Sequence, residues 1–193
     1  YDVYNAWRYG YSIVVEDMKQ RFAGAKFSLS YVTPERISHS FVAIVKEEWR
    51  GHDIGALSSR YSCLLGMERG GKTRVATCHP QNHPSLWNLL NRVGYVVKEF
   101  HADLFGDGEP RMYLSFPLTP AGWANNVIDM DKVRSFMDTG KPGTDYQVVP
   151  TTHLDQIGQM YQQKRFRIVA LLPDEMVQQG KPAFLAVPRR KMT

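Results

Sequence analysis

One junction constrains this chain more than any other. The β-branched and aromatic run Ser40-Phe41-Val42-Ala43-Ile44-Val45 leads into Trp49-Arg50-Gly51-His52-Asp53-Ile54-Gly55-Ala56, and an apolar helical repeat follows. The run has the length and composition of a strand buried on both faces. Leu57, Tyr61, Leu64 and Leu65 then recur at i, i+4, i+7 and i+8, which predicts a helix laying that stripe on a sheet, with Ser58, Ser59, Arg60 and Arg69 on its other faces. A helix starting near Ile54 directs its unpaired N–H groups and positive dipole end into the Gly51–Gly55 loop. Glycine permits close backbone approach and Arg50 adds positive charge, so the turn suits a pyrophosphate. A plain strand-to-helix turn would use the same residues, and the turn alone does not decide between the two.

The next segment adds a second motif. Lys72–Cys78 reads as a strand, His79-Pro80-Gln81-Asn82-His83-Pro84-Ser85 as a turn, and Leu86, Leu89 and Leu90 as a short helix stopped at Val93-Gly94-Tyr95. In order and spacing, residues 40 to 118 resemble the core of the GCN5-related N-acetyltransferase (GNAT) superfamily. The resemblance implies an α/β fold with a central mixed β-sheet flanked by helices. It implies acetyl-coenzyme A, or another acyl-coenzyme A, as co-substrate, with the acyl group passed to an amine of an unidentified acceptor. Carried over residue by residue, the pyrophosphate lies on Arg50, Gly51, His52, Asp53, Ile54, Gly55 and Ala56. The pantetheine arm lies beside the backbone of Ala43, Ile44 and Val45, and Asn82 sits near the thioester.

Two positions depart from the family pattern. Asp53 replaces the middle glycine of the turn, bringing a carboxylate toward a pyrophosphate, although Asp tolerates unusual backbone angles better than most residues. Counting back four residues from Gly94 reaches Leu90, where many family members carry a tyrosine that protonates the departing thiolate. The remaining candidates for a base or water relay are Glu47, Glu48 and His101, with Tyr95 and Tyr113 as further hydroxyl sources. Each has an ordinary alternative: solvated strand ends for the glutamates, surface exposure or packing for His101, and packing for the tyrosines.

Composition bounds these readings. The 193 residues are 43% hydrophobic and 22% charged, enough for one substantial domain with an appendage or for two small ones. No apolar run reaches the roughly 20 residues of a membrane span. The first residue is Tyr1, so sequence upstream is expected to have been removed or not observed, and the family's opening strand and two helices, for which residues 1 to 30 are too short, are expected there. Cys63 and Cys78 fall on a helix and a strand end and read as separate buried thiols, which fits a reducing, cytoplasmic setting. Cys78, His79 and His83 lack the fourth partner that a metal site needs, so no metal is expected. The net charge of +5 raises a nucleic-acid reading, with Lys164-Arg165-Phe166-Arg167 and Arg189-Arg190-Lys191 as its clusters. The scatter of the other basic residues disfavours it.

The rest of the chain sets the organisation. Tyr11–Val15 and Phe27–Val32 read as strands, with Pro34 breaking the second, and Tyr95–His101 and Met112–Phe116 as two strands joined across Gly106–Pro110. These complete a GNAT-like acyltransferase domain over 1–118. Residues 119–150 read as a linker with a short helix around Met130–Met137, and 151–193 as a C-terminal αβ extension. In that extension Thr152 caps a helix through Met160, and Arg167–Leu172 and Ala183–Val187 are strands. The extension is a candidate surface for a protein partner. Beside the enzyme reading stand a non-catalytic GNAT-fold interaction protein, as in a viral or multiprotein assembly, and a nucleic-acid-associated protein.

Overall fold

The computed structural model describes residues 10–30, 35–121, 128–177 and 180–189. Strands β1 (Gly10–Glu16), β2 (Phe22–Ser30), β3 (Ile37–Val45), β4 (Thr73–Cys78), β5 (Val96–His101) and β6 (Arg111–Pro117) form one mixed sheet in the order β1-β2-β3-β4-β6-β5. A second sheet of β7 (Gln147–Pro150), β9 (Ala183–Pro188) and β8 (Phe166–Leu172) has β9 in the middle. The helices are α1 (Ile54–Glu68), α2 (His83–Leu86) with its π-helical continuation Trp87–Val93, α3 (Met130–Thr139) and α4 (Leu154–Gln162). The chain divides into two compact units, Tyr1–Thr77 with Ser115–Asn126, and Cys78–Leu114 with Val127–Thr193. The polypeptide is thus apportioned within the expected 1–118 domain, and the expected linker contributes α3 and β7.

In the first unit β1, β2 and β3 form an antiparallel meander, and β3 pairs in parallel with β4. The expected strand at Phe27–Val32 begins earlier, at Phe22; Tyr31, Val32 and the breaker Pro34 lie outside the described residues. Helix α1 begins where the sequence placed it, but its orientation is reversed. Leu57, Tyr61 and Leu64 are 62%, 53% and 39% exposed, while Ala56, Ser58, Ser59, Ser62, Cys63 and Gly66 are buried. The cause lies beneath the helix. Fully buried Arg74 directs its guanidinium to Tyr11 Oη at 2.6 Å, Ser28 Oγ at 2.6 Å, Ser38 Oγ at 2.9 Å and the Ser62 carbonyl at 3.3 Å. A buried cation must be surrounded by acceptors; α1 supplies the Ser62 carbonyl, and Ser62 Oγ bonds Ser28 Oγ at 3.0 Å, so this face of the helix is polar while Leu57, Tyr61 and Leu64 lie outside and Leu65 is half-buried.

The second unit holds the π-helical segment, which Gly94 ends at φ 90° with the N–H groups of Gly94 and Tyr95 both donating to the Leu89 carbonyl. Asn91, buried in that segment, uses its carboxamide as a rung for β8: Nδ2 donates to the Leu171 carbonyl at 2.7 Å and Oδ1 accepts from Leu171 N–H at 3.0 Å. Tyr146, Ala170, Leu172 and Leu185 form a core on which Met130, Val133 and Met137, at i, i+3 and i+7 of α3, pack. Thr152 is exposed and does not cap α4; His153 occupies that position without a side-chain capping bond. Both cysteines are buried, and no disulfide joins them.

Tyr161 on α4 joins two strands of this unit. Its hydroxyl donates to the Val97 carbonyl of β5 and accepts from Ile168 N–H of β8, both at 3.1 Å. Burial pushes its pKa up from 10.0 to about 12. The folded state therefore keeps a proton that the unfolded chain releases, so this contribution is complete below pH 10 and is lost as pH rises to about 12. Between those values wild type is expected to lose roughly 2 to 3 kcal/mol more stability than Tyr161→Phe, read from urea unfolding across the alkaline range. Parallel pH dependences would remove Tyr161 as the cause.

Candidate functional site

The candidate cofactor residues of the first unit arise from one irregularity in β3. Ser40 pairs with Ser28 and Val42 with Phe27, so Phe41 is an extra residue on β3. Such a bulge bends a strand and increases its twist. The parallel ladder to β4 ends at the same place, at Ser40↔Ala76, whereas the ladder to β2 continues to Val45. From Phe41 to Val45, β3 is therefore held on one edge only, and its other edge offers main-chain N–H and C=O groups to an extended ligand. Ala43, Ile44 and Val45 lie on this stretch.

The same strand delivers the turn. Lys46 N–H donates to the Ala23 carbonyl at 3.0 Å, and a single 3₁₀ turn, Glu47–Trp49, follows. Gly51 adopts φ 83° with open space where a Cβ would stand, and Asp53 adopts left-handed φ 57° immediately before α1. Asp53 occupies, as an L residue, a conformation that glycine adopts at lower cost. Its carbonyl accepts from Leu57 N–H at 2.9 Å while its carboxylate makes no capping bond to the helix. The first-turn N–H groups of Ile54, Gly55 and Ala56 thus have no intrahelical acceptors. Arg50, Gly51, His52 and Asp53 are exposed; His52 Nδ1 lies 3.1 Å from the Arg50 carbonyl, and its ring meets Trp49 edge-on at 5.8 Å. A cationic side chain, a helix N-terminus and two left-handed residues are the elements of an anion-binding turn.

Glu47 and Glu48 stand on the 3₁₀ turn, both exposed, with Glu48 3.5 Å from Lys46 Nζ. Sequence reading missed Gly24 on β2, where a Cβ would lie 2.7 Å from the Ile44 carbonyl oxygen and 3.3 Å from Ile54. A glycine within a strand is the available signal for such close approach.

The other candidates belong to the second unit. Asn82 is exposed and caps α2 by accepting from Ser85 N–H at 3.3 Å. His101 Nε2 lies 2.9 Å from Glu99 Oε2. Tyr113 is held above its usual pKa by burial and by the Glu99 charge. Leu90 and Tyr95 are buried at 0% and 1% exposure. Phe166, the aromatic of the basic cluster, is a core residue and unavailable for stacking on a base. Arg190 and Lys191 lie outside the described residues. Among the described residues, no three His, Cys, Asp or Glu side chains converge as a metal site, and no helix is long and apolar enough to cross a membrane.

No protein-family model matches the sequence, and no curated protein matches it. Solved structures do. Nourseothricin acetyltransferase is similar at TM-score 0.50 and 22% identity over 56% of this chain and 65% of its own. The ribosomal-protein-S5-alanine acetyltransferase of Vibrio fischeri is similar at TM-score 0.51 and 17% identity over 58% and 62%. A NatC complex bound to Gag peptide and CoA contains a chain similar at TM-score 0.50 and 13% identity over 56% and 71%. The chain spans less than two thirds of the first two structures' length. The likeness is one of fold: this is the mixed α/β architecture of the GNAT acetyltransferases.

Proposed function

We propose that the chain binds an acyl-coenzyme A along β3 and its following turn and passes the acyl group to an amine. The observation that carries this is the continuity of two ligand-ready surfaces. The free edge of Phe41–Val45 runs directly into Arg50–Ala56 at the N-terminus of α1. An extended pantetheine carries amides that can pair with a strand edge, and the pyrophosphate joined to it needs cationic and N–H donors where that strand ends. Fold neighbours named as acetyltransferases, and a chain of a NatC complex solved with CoA, support the same reading.

In this reaction the amine nitrogen attacks the thioester carbonyl, a C–N bond forms, and the C–S bond breaks to release coenzyme A thiolate. Main-chain N–H groups at the bulge would hold the developing oxyanion. A base takes the ammonium proton, with Glu47, Glu48 and His101 as candidates. The family resemblance assigns the thiolate's proton donor to the position of Leu90, which has no proton to give, so water is the proposed proton source.

Acetyl-coenzyme A at about 100 times its Kd is expected to raise the unfolding free energy by about 2.7 kcal/mol. Asp53→Gly, which removes a carboxylate beside the pyrophosphate and keeps the left-handed turn, is expected to tighten Kd about three- to tenfold by calorimetry. Absence of binding by both forms to acetyl- and longer acyl-coenzyme A sinks the proposal. The second reading, an interaction protein on the same fold, is favoured by buried Leu90 and by the exposed Leu57, Tyr61 and Leu64 of α1. Cofactor binding without thiol release across a panel of amines would select it.

A further inference from the structure

Strand β5 is the terminal strand of the six-stranded sheet. The Val97 carbonyl points away from the sheet, since it accepts the Tyr161 hydroxyl. Main-chain groups alternate between edges along a strand, so those of Glu99 and His101 face the same outer side. A groove of about 680 Å³ lies there, lined on one side by five successive residues, Lys98–Ala102, and on the other by Leu154, Gly158 and Gln162 of α4. Its size is within the range of ligand sites. The helix packs on the strand at Gly158, where a Cβ would make an ordinary contact with the Phe100 ring at 3.5 Å. Tyr161 has already filled the Val97 position as a rung between β5 and β8, so the groove begins where that rung stops.

We propose that this groove binds an extended acidic polypeptide segment, added to β5 as a further strand. Lining by consecutive residues is what a strand edge presents; a pocket over one sheet face would show alternate ones. Four rises of about 3.3 Å give room for four to five residues of a partner. The charges choose its character. Lys98, Lys164 and Arg189 border the groove against Asp155 and Glu99, and the Glu99 carboxylate is held by His101 at 2.9 Å. Arg189 is fixed in place, its guanidinium over the Tyr161 ring at 5.3 Å and its Nε donating to the Phe166 carbonyl at 3.2 Å. Acidic side chains on a pairing strand therefore meet cations beside main-chain hydrogen bonds that supply affinity. The proposal does not rest on the acyl-transfer reading, and its test reads peptide binding alone; His101, which lines the groove, is also one of the candidate bases.

The probe is a fluorescein-labelled octapeptide alternating glutamate and valine, titrated by anisotropy against the full chain. Saturable binding is expected, at least about tenfold tighter than the lysine–valine counterpart. Glu99→Pro removes an outward N–H, which an edge strand tolerates, and is expected to weaken binding more than about tenfold with an unchanged circular dichroism spectrum. The exposed double change Lys98→Glu/Lys164→Glu is expected to invert the preference toward the lysine peptide. It decides the matter if Glu99→Pro does not fold. Absence of binding, indifference to both variants, or a concentration-dependent dimer dissociated by Glu99→Pro would each overturn the proposal.

Discussion

Arg74→Ala is expected to lower the unfolding free energy by about 3 to 5 kcal/mol, because it removes the centre of a buried hydrogen-bond network and leaves a cavity. The guanidinium reaches Tyr11, Ser28, Ser38 and Ser62 from β1, β2, β3 and α1, so one side chain joins three strands to the helix above them. The acceptors would not all be orphaned. Ser28 Oγ retains Ser62 Oγ at 3.0 Å, and the Tyr11 hydroxyl still donates to the Ser62 carbonyl. Ser38 loses the most. Arg74→Met, which refills much of the volume and carries no charge to desolvate, is therefore expected to cost less, about 1 to 2 kcal/mol. Urea unfolding of both variants checks the pair. An alanine variant within 1 kcal/mol of wild type would show that the network contributes little net stability, about the worth of a single hydrogen bond.

That network also explains the largest misreading of the sequence. Periodicity assigns Leu57, Tyr61 and Leu64 to the buried face of α1 on the premise that the surface beneath a helix is apolar. Here it carries Arg74, an ordinary strand residue in the sequence, whose burial depends on contacts made at separations of 12 to 63 residues. No local window contains that information. The serines at 58, 59 and 62 were visible as a cluster, yet serine is neutral in such patterns, and nothing local shows that Ser62 sits over a buried cation.

The parts of the candidate site that were legible are those set by local backbone chemistry. Gly51 and Gly94 take positive φ, α1 starts at Ile54, and β3 ends at Val45, as glycine punctuation and β-branching indicated. The bulge at Phe41 was not legible, since nothing in Ser40–Val45 marks one residue as extra; register is a property of two strands. For the same reason Asn91 carried no signal. Its role as a rung for Leu171 spans 80 residues, and it is what fastens part of the expected extension to the helix before Gly94.

Gly24→Val is expected to cost about 3 kcal/mol and to abolish stabilisation by acetyl-coenzyme A. Gly24 pairs with Val45 at the end of the β2–β3 ladder, and a Cβ there would meet the Ile44 carbonyl oxygen at 2.7 Å, closer than van der Waals contact allows. The obstacle is backbone, so relief requires β3 to move. On the far side, at 3.3 Å, is the side chain of Ile54, the first residue of α1. One substitution thus displaces both surfaces assigned to the cofactor, the edge carrying Ala43–Val45 and the helix N-terminus behind Asp53. Gly24→Ala presents the same Cβ without the two methyl groups and is expected to fall between wild type and valine in both respects. Thermal unfolding with and without saturating acetyl-coenzyme A separates the effects. A valine variant that unfolds earlier yet keeps the full ligand shift would mean that the cofactor does not use the β3 edge and the turn together.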